Sequence, residues 1–168
     1  MILKNLKKEI RKVIGLMLGL VLIVGMNLTA YASEYLPSLG ETVDGSLLTN
    51  EDSAECVLYN PARGNILNSG LARITNNGDG SVNAYGAVLP AVKCDKLSLT
   101  INIQRLQGGN WVNVKSYSST AYNSSLLSKS YNYSVTKGYY YRVKAGCVAT
   151  KGGTTETQIP ITDGIWID

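Results

Sequence analysis

Residues Val135 to Thr150 read Val-Thr-Lys-Gly-Tyr-Tyr-Tyr-Arg-Val-Lys-Ala-Gly-Cys-Val-Ala-Thr, and this stretch decides the fold. After the turn signal Lys137-Gly138, the residue types alternate with a period of two. The first set is largely apolar: Tyr139, Tyr141, Val143, Ala145 and Cys147. The second set is mixed: Tyr140, Arg142, Lys144 and Gly146. Such alternation is typical of a half-buried β-strand, so we expect the first set to face a core and the second set to face solvent.

Six other segments of the chain also show strand patterns. The clearest is 97–104, where leucine and isoleucine alternate with polar residues, as in a sheet with one wet face. Pro160, which lies in the C-terminal segment, indicates an edge strand or a bulge. The Ser-, Thr- and Asn-rich stretch Ser118 to Ser128 is expected to be a loop or a sheet crossing. The six segments are 71–75, 81–88, 97–104, 111–117, 130–135 and 155–167. Seven short strands, with no helical period after the start of the chain, predict an all-β antiparallel β-sandwich.

The first 32 residues have the composition of a secretory signal peptide. Five basic residues precede an uncharged apolar run from Val13 to Leu28, and Ala30-Tyr31-Ala32 is a small-x-small cleavage site. The alternative is an uncleaved membrane anchor, which we disfavour because the run is near the lower length limit for spanning a bilayer. We therefore expect cleavage after Ala32, secretion, and no membrane association of the mature protein.

The charges predict a division of the remaining chain. Removal of residues 1–32 leaves 136 of the 168 residues, with no net charge. Ser33 to Asn68 has a net charge of −5, and the rest of the chain has +5. We expect an acidic extended arm over 33–69 and a β-sandwich domain over 70–168. The arm is either a solvated leader, which we favour, or a segment that docks on the domain.

The absence of histidine argues against an enzyme. Without it, the chain lacks the usual general base, the Cys-His nucleophile pair and the commonest metal ligand. Asp79, alone among glycines, fits a turn better than a calcium loop. We therefore expect no catalytic residue, no metal and no cofactor. The chain has three cysteines: Cys56, Cys94 and Cys147. They allow at most one internal disulfide, whose pairing stays open. Cys147 is expected to be a small buried hydrophobe.

Outward-facing aromatic and basic residues suggest a binding surface. Tyr140, Arg142 and Lys144 share the predicted outer face, and Trp166 alternates with two isoleucines near the C-terminus. Tyrosine and tryptophan on a sheet face can stack on sugar rings or anchor a protein partner, and for Tyr140 and Trp166 a place in the core is an equally open alternative. The chain has no phenylalanine, so we expect the tyrosines on the inward strand faces to fill the core. These are Tyr131, Tyr133, Tyr139 and Tyr141. The basic residues are dispersed, so no nucleic-acid partner is expected.

Two resemblances add to this interpretation. Gly138 to Ala145 resembles the penultimate strand of fibronectin-type-III and immunoglobulin-like domains, which implies that Tyr139 is a corner tyrosine bonded to the preceding turn. Trp111, which opens a strand after a hairpin, fits the same plan. The chain is also similar to a family of small secreted proteins of Gram-positive bacteria with a domain of unknown function, through Leu99 to Trp111, Val135 to Lys144 and Thr162 to Ile165. This second resemblance implies secretion and a β-rich fold, but no site residue.

The combined prediction is a secreted, non-catalytic binding or interaction module that acts at or outside the cell surface on a glycan or a protein. The alternative is a self-associating surface protein whose arm adds a strand to the sheet of a neighbour. A third hypothesis is a cysteine-dependent enzyme. The oligomeric state stays open.

Overall fold

The computed structural model describes residues 36–60 and 66–168. The predicted signal peptide, residues 1–32, lies outside the described residues. The described part of the chain contains strands and no helix. Its strands are β1 (Thr42–Val43), β2 (Ser46–Thr49), β3 (Ser53–Tyr59), β4 (Leu67–Asn76), β5 (Ser81–Pro90), β6 (Cys94–Gln107), β7 (Asn110–Ser124), β8 (Leu127–Ser134), β9 (Tyr139–Lys151), β10 (Thr154–Gln158) and β11 (Gly164–Ile167).

The strands form two sheets that pack face to face. The first sheet has the order β1-β2-β11-β9-β6-β7, and β10 pairs with β9 beyond the end of β11. The second sheet has the order β3-β4-β5-β8. All pairs are antiparallel except β2 with β11, which is parallel. The predicted all-β antiparallel sandwich is therefore confirmed.

The connectivity of β4 to β11 is immunoglobulin-like. Strands β4, β5 and β8 occupy the A, B and E positions of one sheet, and β6, β9 and β10–β11 occupy the C, F and G positions of the other. Strand β7 is an additional edge strand that forms a hairpin with β6. All seven predicted strands are present. The expected loop over 118–128 is largely strand, because β7 pairs with β6 as far as Ser124 and β8 begins at Leu127. Serine and threonine there reflect an exposed edge strand.

The core lies between the sheets and contains the predicted inner face of β9. Tyr141, Val143, Ala145 and Cys147 are all buried there. Leucine and isoleucine at positions 97, 99, 101 and 103 of β6 pack in the same cluster. Tyr131, Tyr133 and Tyr139 pack partly buried against it, as expected of a core that lacks phenylalanine.

The predicted boundary at residue 70 is not observed. Strand β2 pairs with β11, and β3 pairs with β4 along its whole length, from Ser53↔Thr75 to Tyr59↔Ser69. One compact unit spans Glu34–Asp168, so the segment is part of the sandwich and the expectation of a separate arm is wrong. Strands of two and four residues are too short to show a period. The local sequence signal for the β1–β2 hairpin is instead the turn dipeptide Asp44-Gly45. Its positive φ angles of 48° and 77° are those that a two-residue hairpin turn requires.

Pro160 interrupts the last strand, as predicted. It lies between β10 and β11, where the partner of β9 loses regular pairing. The carbonyl of Pro160 accepts a hydrogen bond from the amide of Ala145, and the Thr162 amide donates to the carbonyl of Val143. The irregular segment thus remains attached to β9.

Candidate functional site

The predicted contact residues lie together on the outer face of β9 and β11, but this face is mostly covered. A second apolar cluster packs over it and consists of Val43, Leu48, Leu106 and Tyr140, with Trp111 and Trp166 at its margin. The indole Nε1 of Trp111 donates to the carbonyl of Val43 over 3.2 Å. Tyr140 is 7% exposed and Arg142 is 1% exposed. The expectation that these two side chains face solvent is therefore wrong.

Arg142 is held by the protein itself. Its Nε donates to Gln104 Oε1 over 2.8 Å, its Nη1 to Ser46 Oγ over 2.9 Å, and its Nη2 to Asp44 Oδ2 over 3.0 Å. Its Cζ also lies 4.4 Å from the ring centroid of Trp111. Burial lowers the pKa of Arg142, while the hydrogen bond and charge of Asp44 oppose that shift. This side chain holds the N-terminal strands on the sheet.

Lys144 and Trp166 remain partly accessible. Trp166 pairs across strands with Tyr140, and their rings meet edge to face at 5.0 Å. Lys144 lies opposite Ile161 in an isolated bridge. The structure thus brings all four predicted residues together, and only these two can be reached by a ligand without moving the N-terminal strands.

Two adjoining depressions mark a different site, at the end of the sandwich near the β4–β5 turn. The first, which we call the polar shelf, lies on the outer face of the second sheet and has a volume of about 400 Å³; it is lined by Asn77, Asp79, Ser81, Asn132, Tyr133 and Ser134. The second, which we call the Arg105 pocket, lies between the sheets and has a volume of about 190 Å³; it is lined by Arg105, Val114, Tyr133, Ser134, Val135, Thr136 and Tyr141. They share Tyr133 and Ser134 at the end of β8.

The Arg105 pocket is cationic and aromatic. The Cζ of Arg105 lies 4.5 Å from the ring centroid of Tyr139, and its Nη2 donates to Gln107 Oε1 over 2.7 Å. Its Nε is buried and has no hydrogen-bond acceptor among the described residues. The hydroxyl of Tyr141 donates to the carbonyl of Thr136 over 2.7 Å. Burial raises the pKa of Tyr141, and the Arg105 guanidinium opposes that rise.

The polar shelf is an ordered set of acceptors and donors. Asp79 Oδ1 accepts from the hydroxyl of Ser81 over 2.6 Å and from its amide over 3.0 Å. The hydroxyl bond is the main reason that the pKa of Asp79 lies below its ordinary value of 3.8. The Nδ2 of Asn77 donates to the same hydroxyl, and the Oδ1 of Asn132 accepts from Asn83. These internal bonds hold the side chains in place before any ligand arrives.

The resemblance to immunoglobulin-like domains predicted a corner tyrosine, and one is present, but it is a different residue from the one predicted. Tyr141, and not Tyr139, donates its hydroxyl to the turn that precedes β9, at Thr136. Both tyrosines share the inner phase of β9, and the Tyr139 ring is engaged by the Arg105 guanidinium instead.

Sequence reasoning did not single out Arg105. The available signal was its phase, because it follows Leu99, Ile101 and Ile103 on the inward face of β6. A charged residue in the inward phase of a strand indicates either a buried partner or a site.

The cysteines are free thiols. Cys94 and Cys147 are buried and Cys56 is partly buried, and none forms a disulfide. The thiol of Cys147 lies 3.3 Å from the carbonyl of Ala87, and burial raises its pKa to about 11. Cys147 is the buried small hydrophobe that its position predicts. Since a nucleophilic cysteine needs a lowered pKa, this residue does not support the cysteine-enzyme hypothesis.

The family assignment rests on a match over most of the chain. The model of a family of unknown function, DUF6147, matches residues 37–164. The chain belongs to the DUF6147 family. The match begins before β1, so the DUF6147 region includes the N-terminal strands as well as the two depressions. It confirms the resemblance to a domain of unknown function. No curated protein and no solved structure matches the chain significantly.

Over 36–60 and 66–168, no helix is long and apolar enough to cross a membrane. Within those same residues, no three His, Cys, Asp or Glu side chains form a group that could hold a metal ion.

Proposed function

We propose that this DUF6147 protein is a non-catalytic binding module that recognises a saccharide through the Arg105 pocket and the polar shelf. The composition of residues 1–32 supports export, so the module acts at or outside the cell surface. The observation that carries the proposal is that an aromatic, cationic pocket adjoins a shelf of amide, hydroxyl and carboxylate groups across Tyr133.

The chemistry of the two depressions suits a sugar. A sugar ring offers an apolar face to an aromatic side chain and hydroxyl groups to hydrogen-bonding partners. Tyr133 lines both depressions where they meet, and its aromatic side chain packs partly buried against the core beside the Arg105 pocket. Asn77, Asp79 and Asn132 on the shelf supply both donors and acceptors. Because these groups are already ordered by internal hydrogen bonds, binding costs little side-chain entropy.

A binding role fits this site better than catalysis. Asp79 is the sole carboxylate among its lining residues, whereas glycoside hydrolysis normally uses a pair of carboxylates. The pKa of Asp79 is lowered, which is the wrong direction for a general acid at neutral pH.

Self-association is the second candidate function. The surface for it is strand β7 and not the N-terminal segment that the sequence suggested. The N-terminal segment is not a free arm, because β1, β2 and β3 already pair within their own sandwich. Strand β7 is the last strand of its sheet and runs for 15 residues. Its outer edge is the surface on which a second chain could add a strand.

The test is binding of the purified protein to a glycan array and to isolated cell walls, with matched tyrosine variants. Tyr133→Ala removes the ring shared by the two depressions. Tyr59→Ala is the control, because Tyr59 is 72% exposed and lies on β3, away from both. Trp166→Ala tests the outer face of β9 and β11.

Four outcomes separate the candidates. Saturable binding that is lost in Tyr133→Ala and kept in Tyr59→Ala supports the proposal. Loss in Trp166→Ala alone moves the site to the face first predicted. No binding by a folded, monodisperse protein rejects saccharide recognition and favours a protein partner, while a concentration-dependent mass favours self-association through β7.

A further inference from the structure

We infer that the saccharide bound by this site is acidic, and that the Arg105 guanidinium recognises its anionic group. This inference rests on the proposed function and names the class of ligand. It follows from the charge of the pocket, which the protein does not neutralise.

The guanidinium of Arg105 has no anionic partner. No described carboxylate lies within ion-pair distance of it, and its side-chain acceptor is the neutral amide oxygen of Gln107, at 2.7 Å. Its Nε is buried without an acceptor. Arg142 shows the contrast, because that buried guanidinium donates to the Asp44 carboxylate and to three neutral acceptors. A partly buried cation without a counter-charge attracts an anion more strongly than an exposed one, because water screens it less.

A second cation stands beside the first. The Nζ of Lys115 lies 5.9 Å from the ring centroid of Tyr133, which lines the pocket, and 5.3 Å from that of Tyr117. No described acidic side chain is paired with Lys115. Two cations, Arg105 and Lys115, therefore lie beside the tyrosines of the pocket. The positive potential of both favours an anionic ligand.

The size of the pocket indicates which part of the ligand enters it. At about 190 Å³, it is smaller than the roughly 300–1,000 Å³ of pockets that enclose a whole small molecule. It therefore accepts one charged sugar unit, while the neighbouring units lie on the shelf. Guanidinium groups bind planar or tetrahedral oxyanions through paired N–H donors, so the anionic group is a carboxylate or a sulfate ester.

The experiment compares three matched disaccharides by isothermal titration calorimetry with the purified protein: one containing glucuronate, its neutral glucose counterpart, and a sulfated counterpart. Wild-type protein should bind at least one acidic disaccharide about tenfold or more tightly than the neutral one. Arg105→Gln should weaken binding of the acidic disaccharide far more than binding of the neutral one, and so remove the preference. Arg73→Gln is the control, because Arg73 pairs with Glu55 on the outer face of the second sheet.

Salt dependence and a conservative variant distinguish the loss of a charge interaction from misfolding of the variant. The preference of the wild-type protein for the acidic sugar should shrink as salt is raised, because screening weakens the charge term. Arg105→Lys keeps the charge and should retain part of the preference. The carboxylated and sulfated arms identify which oxyanion is bound.

Failure of this inference is distinguishable from failure of the proposed function. Equal affinity for acidic and neutral sugars, or an unchanged preference in Arg105→Gln, overturns the inference and leaves saccharide binding intact. No measurable binding of any disaccharide or array glycan overturns both.

Discussion

Arg142 on β9 donates from Nη2 to the Oδ2 of Asp44 over 3.0 Å, although 98 positions separate the two residues. The arginine side chain is 2% exposed and the aspartate side chain 73% exposed, so one end of the pair is in the fold and the other is in water. The contact ties the β1–β2 turn to the strand that organises the core. It also explains why an arginine on the outer phase of β9 is not a free surface residue.

Arg142→Ala should lower the free energy of unfolding by about 2–5 kcal/mol, the range for truncating a large buried side chain. The substitution leaves Gln104 and Ser46 without their partner and removes the cation over Trp111. Arg73→Ala is the control and should cost about 0–1 kcal/mol, because its pair with Glu55 is half exposed and 3.7 Å long. Urea denaturation measures both; similar losses in the two variants would show that Arg142 is not an anchor.

Gly164→Ala should destabilise the protein by about 1–3 kcal/mol through overpacking. A Cβ at this position would lie 2.8 Å from Cη2 of Trp111 and 2.9 Å from Cδ2 of Leu48. Gly146→Ala provides the matched strand control, since its nearest neighbour would be Thr100 Cβ at 3.8 Å, and it should be neutral or slightly stabilising. Thermal unfolding of the two variants checks this, and a stable Gly164→Ala protein would contradict the packing of Trp111 on β11.

Tyr141→Phe should cost about 1 kcal/mol, because it removes the hydrogen bond to the carbonyl of Thr136. Tyr139→Phe is the control and should change stability little, because no hydrogen bond of the Tyr139 hydroxyl is present among the described residues. If the larger loss occurred in Tyr139→Phe, the corner tyrosine would be the one that the sequence first suggested.

Alkaline pH should destabilise the wild-type protein through Cys147. Burial raises the pKa of this thiol from 9.0 to about 11, so between these values the folded state holds a proton that the unfolded state has released. The contribution of this thiol to stability is therefore complete below pH 9.0 and is lost as the pH rises toward about 11, a loss on the order of 3 kcal/mol. Urea titrations across this range should show a larger loss in wild-type protein than in Cys147→Ala.

Thiol labelling gives an independent check of the same burial. In the folded protein, Cys56 should react first, because it is partly exposed, and Cys147 should react only on unfolding. A Cys56→Ser variant should therefore lose the fast phase. Fast labelling that persists in this variant would contradict the buried state of the other two thiols.

The local pattern was sufficient for the strands that build the core. Alternation along β6 and β9 identified their inner faces, and these residues are buried. The turn residues placed the β4–β5 hairpin and the β8–β9 connection between the sheets, because positive φ angles at Gly78 and Gly138 match the predicted turns. The candidate site was not found in this way, since Arg105 and Tyr133 meet only through the packing of one sheet on the other.

The amino-acid sequence by itself determined the fold class, the seven strand segments that form β4 to β11, and the core face of each main strand. These depend on side-chain periodicity, which is a local property of the chain. Only the tertiary structure decided that the outer face of β9 is covered, that the acidic segment belongs to the sandwich, and that Arg105 has no carboxylate partner among the described residues. A period reports which residues share a face, but what covers that face comes from segments far away in the chain, such as Asp44 for Arg142.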